Sequence, residues 1–367
     1  MGIVAIDKDA IQKMKPPVVH RGAIGWLKEN LFNGVFNSIL TLVFLAFLLK
    51  FVPPFIKWAF IDSVWFTTGA ECKECPGACW SVVLKNLRFV IFGFYPHDLH
   101  WRPFGAMLLL FTLLFFSYHK RFWSKKLGYA WMIGLVAMGI LMKGGIFWLT
   151  PVDSMKWGGL PLTLLLSVFG LAAAYPLGVI LALGRDSHMP MIRYLSIGYI
   201  ELIRGVPLIS LLFMSSIIFP LFLPEGVTIN KILRAQVAII LFTAAYVAEV
   251  VRGGLQGMSG GQYEAADALG LNYYQTMRLV ILPQALKIVI PPTLSVLISA
   301  FKDTSLVVII ALYDFLLTSK TVIQHPEWNG FSTEMYLFVA LMYFLGCFSM
   351  SNFSRKLEQE LDTDKRS

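Results

Sequence analysis

Residues 258–270 read MSGGQYEAADALG, and two chemistries compete for them. The backbone amides and hydroxyl of Ser259-Gly260-Gly261-Gln262 can face a nucleotide phosphate. Equally, Ser259 can cap a helix, with Gln262 three residues on closing a capping box. Three further groups invite chemistry. Lys302, Asp303, Thr304 and Ser305 place two charges and two hydroxyls inside an apolar run. They can meet the carboxylate and ammonium of a zwitterion, or simply neutralise one another. Glu249 and Arg252, three apart on one helical face, can form a structural ion pair, a gate or a substrate contact. Cys72, Cys75 and Cys79, with His97 and His100, offer zinc-type donors, but without the paired spacing of a zinc site. One local disulfide with a thiol left over, or three free thiols, is the plainer reading. Cys347 lies in an apolar run and reads as a packed thiol.

The elements that must position these groups are membrane spans. The 367 residues are 57% hydrophobic and only 14% charged. Soluble domains carry about 25% charge, so this balance belongs to an integral membrane protein. The N-terminus, through Arg21 and Gly22, is mixed polar, so no cleavable signal peptide is expected. Ile6 stands where a lipidation motif needs Ser or Thr. Eight apolar stretches suffice to span: 31–51, 103–118, 127–149, 160–183, 206–223, 233–256, 284–310 and 334–353. Pro291 and Pro292 predict a kink in the seventh, and Lys302-Asp303-Thr304-Ser305 an interruption after it. Residues 191–203 predict an amphipathic helix lying at the interface.

Lys and Arg concentrate on alternate connections: Lys8 to Lys28 at the start, Lys120 to Lys126, Arg185 to Arg204, Arg252 and Arg278, then Arg355 to Arg366. An even number of spans and this bias predict that both termini are cytoplasmic. The net charge of +9 is thereby a matter of topology and does not call for nucleic acid. Trp58, Trp65, Trp123, Trp148 and Trp157 fall near span ends, as an interfacial belt requires. The fold class expected is all-α, with about eight transmembrane helices.

The loop from 257 to 283 is the informative connection. Glu264 favours a helix N-terminus, and Ala265, Ala266 and Ala268 favour its continuation. Gly270 is placed to stop it in a left-handed cap, and Asn272 to start a second helix over 273–281. Two short helices with small residues at the bend make a knob that a partner can approach closely. Its pattern is Glu264-Ala265-Ala266, three residues, Gly270, nine residues, Val280, one residue, Leu282-Pro283. This resembles the EAA loop of ABC-importer permeases, with Val280 where Ile is more usual. The strings YIELIRGVPL (199–208), AEVVRGGLQ (248–256), GQYEAADALGL (261–271) and FKDTSL (301–306) resemble the polar amino-acid permease family, of the histidine and glutamine type. WGGLPLTLLLS (157–167) and PLFLPEGV (220–227) look closer still to the M-type permease of general L-amino-acid importers.

The resemblance covers about 157–353 and implies a five-span type I permease core there, with an EAA loop at 258–283 and a cytoplasmic tail at 354–367. Residues 1–150 would add a tail, three spans and a Cys-containing periplasmic loop. It implies a homologous second permease subunit, two copies of a cytoplasmic ATPase and a periplasmic amino-acid-binding protein, with membrane lipid around them. ATP and magnesium would sit on the ATPase, and this chain would bind no cofactor. SGGQ also resembles the signature loop of ABC ATPases, but no G-x-x-x-x-G-K-[ST] string accompanies it. The rival classes are an ion channel or secondary transporter, which leaves the EAA loop unexplained, and a membrane-embedded enzyme. For the latter, H-E-x-x-H does not occur.

Overall fold

The computed structural model describes residues 22–363, so the basic residues Lys8 to Arg21 and Lys365 and Arg366, with the lipidation reading at the N-terminus, lie outside the described residues. The contacts divide the chain into two units, one ending at Cys79 and one beginning at Trp80. Among the described residues there is no β-sheet, only two isolated bridges.

In the first unit, α1 (Val35–Ile56) continues as a π-helical turn over Lys57–Ile61. It is apolar on every side, and no residue of Val35–Ile56 is buried, which suits a helix surrounded by lipid. A disulfide joins Cys72 to Cys79. Cys75 stays a thiol and donates to the carbonyl of Glu71. This corrects the zinc reading, because a disulfide sulfur is no metal ligand. Among the described residues, no group of three or more His, Cys, Asp or Glu is placed to hold a metal. His97 and His100 stack on each other in the second unit, and His100 is held by Arg88 and the carbonyl of Tyr95.

The second unit contains α2 (Ser81–Phe92), α3 (Trp101–Tyr118), α4 (Lys125–Lys143), α5 (Gly159–Asp186), α6 (Pro190–Gly205), α7 (Leu208–Phe213) and α8 (Lys231–Gln256). After α9 (Gly260–Ala268) come α10 (Leu282–Asp303), α11 (Phe315–Gln324) and α12 (Ser332–Thr363). Among the described residues of both units, seven helices are long and apolar enough to cross a membrane. An eighth crossing is reached if α6 and the segment Leu208–Phe222 count together across a 102° bend. This modifies the expected surface helix followed by a full span. Residues 208–222 pass from α through a wider π turn to 3-10 geometry and are too short to cross alone. The helix α6 is pinned inward, with Ile200 buried and the Tyr199 hydroxyl donating to Leu241 O at 2.7 Å.

The helices α5 and α8 form the centre. Small residues let their backbones approach: Ala174, Gly178 and Ala182 face a helix in which Ala244, Ala245 and Ala248 are buried. A Cβ at Gly178 would lie 2.6 Å from Val247 Cγ1 and 2.9 Å from Ala244 O, so only glycine permits this crossing. Cross-links at Gln236 to Leu166 O and Arg185 to Glu249 show that the two run in the same direction. The helix α10 runs back along α8, with Gly254 packed on Ala285 and Val289. The seventh span does not break at Pro291-Pro292. Helix continues to Asp303, because neighbouring helices support a proline bend, and the change to 3-10 geometry comes at Thr304–Ile310.

Two short helices, α2 and α11, were not expected. The helix α11 starts at Asp314, whose carboxylate accepts from Leu316 N and Leu317 N. Thr318 then bonds Val90 O of α2, and Thr163 of α5 accepts from Phe315 N. Burial pushes the Asp314 carboxyl up to about 7, against the backbone bonds that pull it down. The folded chain therefore holds this proton over a range where the unfolded chain has lost it. Stability should fall as pH rises from about 4 to about 7 and then level off. Asparagine caps equally well and carries no charge. Melting curves of wild type and Asp314→Asn should coincide in slope above pH 7.5 and diverge below it, the variant lacking the decline. A variant with the same pH slope would remove Asp314 as its source.

Candidate functional site

The 257–283 loop is tied directly to the ends of the central spans. Ser259 occupies the N-cap of α9 in extended geometry, but its side chain makes no capping bond. The expected capping box fails because the Gln262 side chain is engaged elsewhere: its Oε1 accepts from Gln284 Nε2 at 3.0 Å. Gly270 ends the helix at φ +71, and a Cβ there would meet nothing within 4 Å among the described residues. Glycine is thus required by backbone conformation and not by internal packing. Asn272 and Gln275 form the reciprocal capping box that Ser259 lacks. Tyr273–Gln275 and the π-helical Thr276–Ile281 run without interruption into α10.

The two faces of this knob differ. Ala266, Met277 and Ile281 are buried, and Met277 and Ile281 join Val251, Leu255 and Ala285 in one core cluster. Val280 packs at its edge, and Leu282 and Pro283 open α10. Outward face Glu264, Ala265, Leu269 (78% exposed), Tyr274 and Leu279, a mixed apolar and acidic surface with Gly270 among them. An exposed leucine and tyrosine here stand beside small residues.

Next to the loop's root is an ion network. Glu249 accepts from Arg252 and lies 3.4 Å from both Arg185 of α5 and Arg204 of α6. Arg185 also pairs with Glu201 at 2.8 Å, and Arg252 with Gln256 at 2.6 Å. The pair read from sequence is therefore the centre of a cluster of five charged residues joining three helices. Arg185 and Arg204 were missed because they arrive from distant positions.

Farther along α8 is a cavity of about 340 Å³. Phe242, Thr243 and Tyr246 of α8 line one side, and Ser295, Ser299 and Asp303 of α10 the other. Those last three are four residues apart and form one polar stripe, a signal present in the sequence and overlooked. Thr243 is half-way along the 26 residues of α8, roughly 20 Å from either end. The cavity thus lies about half-way along α8 and extends to Asp303, the end of α10, where the helix changes to 3-10 geometry. Lys302 is exposed and does not line the cavity. Thr304 and Ser305 spend their hydroxyls on Phe301 O and Lys302 O. The Arg204 guanidinium sits 5.6 Å from the Tyr246 ring, linking the cavity wall to the ion network.

A bundle of membrane helices with a polar-lined cavity between two of them, and a protruding knob rooted in those helices, defines a transport permease. Residues 174–363 match the family described as binding-protein-dependent transport system inner membrane component, and the chain belongs to that family. It is 46% identical over 350 residues to the inner membrane amino-acid ABC transporter permease protein YhdY of Escherichia coli K12, covering 94% of each chain. It is 38% identical to the glutamate/glutamine/aspartate/asparagine transport system permease protein BztC of Rhodobacter capsulatus, covering 95% of this chain and 96% of that one. A solved amino acid ABC transporter with histidines superposes at TM-score 0.50 and 30% identity, covering 55% of this chain and 92% of its own. The chain is a multi-pass inner-membrane permease subunit of an ABC transporter. ATP hydrolysis belongs to a partner ATPase, and neither the channel or secondary-carrier reading nor the enzyme reading is supported.

Proposed function

We propose that this subunit forms part of the path by which L-amino acids enter the cytoplasm, and that the 258–283 loop couples it to the ATPase. The observation that carries the reading is the mid-span cavity. Its polar stripe of Ser295, Ser299 and Asp303 stands where α10 gives way to 3-10 geometry. Broken helices at mid-membrane offer backbone and side-chain partners that lipid cannot supply. Asp303 is suited to an ammonium, and the hydroxyls of Thr243 and Ser299 to a carboxylate. Lys302, exposed outside the cavity, takes no part in this assignment.

The amino-acid relatives support the substrate class, and the charge bias of the loops supports cytoplasmic termini. In this reading residues 157–353 are the permease core, and residues 1–150 an added tail and three spans. A homologous second permease subunit, two ATPase copies carrying ATP and magnesium, and a periplasmic amino-acid-binding protein complete the complex. ATP binding closes the ATPases and moves the knob. The core then exchanges between two states whose populations are set by the partners' differential contacts.

In proteoliposomes of the complete complex, Asp303→Asn should raise the KM for labelled L-amino acid roughly tenfold, the cost of losing one charge-assisted bond. Lys302→Gln should leave it within about twofold, as an exposed charge away from the site requires. Equal effects of the two variants, or no effect of Asp303→Asn, would remove this cavity from the path.

A further inference from the structure

A second cavity, of about 700 Å³, belongs neither to this path nor to the knob. It lies where α4 and the 151–157 connection meet the first turns of α5 and α8. Its polar residues gather at helix ends. Lys143 is the last residue of α4, Asp153 and Ser154 belong to the connection, and Asn230 is the N-cap of α8. That end of α8 is opposite the end from which the 257–283 loop emerges, roughly 39 Å away for 26 residues. Deeper, the wall is Leu162, Leu165, Leu166 and Phe169, descending about 15 Å from the start of α5. Gln236, the polar residue at that depth, is already bonded to Leu166 O.

The charges at the mouth are open. Lys143 has no ion-pair partner among the described residues. Asp153 accepts from Met155 N and Ser154 Oγ, both through Oδ1, so Oδ2 stays free. The segment beside the mouth is shaped for the bilayer surface. Ile146, Phe147 and Trp148 are exposed, Trp148 completely, and Phe147 and Trp148 hold φ of +51 and +58. That conformation costs an L-residue about 1–2 kcal/mol. It is fixed by Arg102, which is fully buried and donates to Leu141 O at 2.7 Å and Thr150 O at 2.8 Å. A tryptophan held outward at the helix ends occupies the headgroup level of a membrane.

We propose that this cavity holds one phospholipid of the ethanolamine class, with an acyl chain against α4, α5 and α8, the phosphate on Lys143 and the ammonium on Asp153. The charge pair at the mouth matches a zwitterionic headgroup. The apolar wall, about 15 Å deep, suits an acyl chain and exceeds the reach of any amino-acid side chain.

Native mass spectrometry of the complete complex, delipidated and then exposed to phosphatidylethanolamine, phosphatidylglycerol or a free L-amino acid, tests the assignment. Wild type should retain one phosphatidylethanolamine per copy of this chain, in preference to phosphatidylglycerol. Lys143→Gln should weaken retention roughly tenfold, and Asp153→Asn should erase the headgroup preference. Gly139→Leu should displace the lipid without touching a charge, since a Cβ at that position already lies 4.0 Å from Phe169. Assembly of each variant is verified first, and if Gly139→Leu fails to assemble the charge variants decide. Retention unchanged in the variants, equal binding of both lipids, or retention of the amino acid instead would overturn the proposal.

Discussion

Gly270→Asp is expected to cut ATP-driven uptake at least roughly tenfold, while the subunit remains folded in the membrane. A coupling free energy of about 1–3 kcal/mol corresponds to that scale. The residue sits at φ +71, where aspartate is among the more tolerant L-residues, and its Cβ would meet nothing within 4 Å among the described residues. Internal packing therefore survives. What changes is the outer face, where a carboxylate would join Glu264 and Asp267 on a surface that the ATPase must dehydrate. Uptake and co-purification of the ATPase should fall together. Glu264→Lys, reversing charge on the same exposed face, should act in the same direction. Normal transport by both variants, with the ATPase bound, would show that the knob is not the coupling element.

Glu249→Gln should be the most damaging single change within the half-buried ion network. It leaves Arg185, Arg204 and Arg252 facing one another with only Glu201 to offset them. Breaking a fully buried pair costs about 3–5 kcal/mol. These side chains are 21–33% exposed apart from Glu201, so screening reduces the expectation to about 2 kcal/mol. Because the cluster joins α5, α6 and α8 between the cavity wall and the loop, uptake should fall by more than the stability loss explains. A double-mutant cycle with Arg204→Gln separates these effects. Its coupling energy should exceed about 0.5 kcal/mol in both melting and transport. Additive losses would mean that Glu249 and Arg204 act independently, and that spatial adjacency to Tyr246 carries no functional coupling.

The parts legible in the sequence were those written in local spacing. Span length and hydropathy located the long helices. The EAA pattern marked the loop, and Gly270 and Asn272 announced their caps through their own residue types. What remained hidden depends on partners distant along the chain. Nothing local to Glu249 reports that Arg185 and Arg204 converge on it. Gln262 reads as a capping-box partner until Gln284 claims its side chain. The helices α2 and α11 are too short for a span search, and their place is set by Asp314, Thr318 and Thr163 bonding across elements. The charges and hydroxyls at 302–305 marked where the seventh span changes geometry, but Ser295 and Ser299, which repeat every four residues with Asp303, went unread. Cys72 and Cys79 are seven apart, and sequence alone could not choose between that pair and either neighbour of Cys75.

The most direct test of the central claim is site-specific photocrosslinking from position 269. Leu269 is exposed on the outer face of the knob, next to Gly270. A photoreactive phenylalanine analogue replaces it in the assembled, transport-competent complex, which is then illuminated and its adducts identified. The account predicts a covalent adduct with the ATPase subunit, and loss of uptake in proportion to its yield. Adducts confined to lipid or to other membrane subunits, with uptake intact, would contradict it.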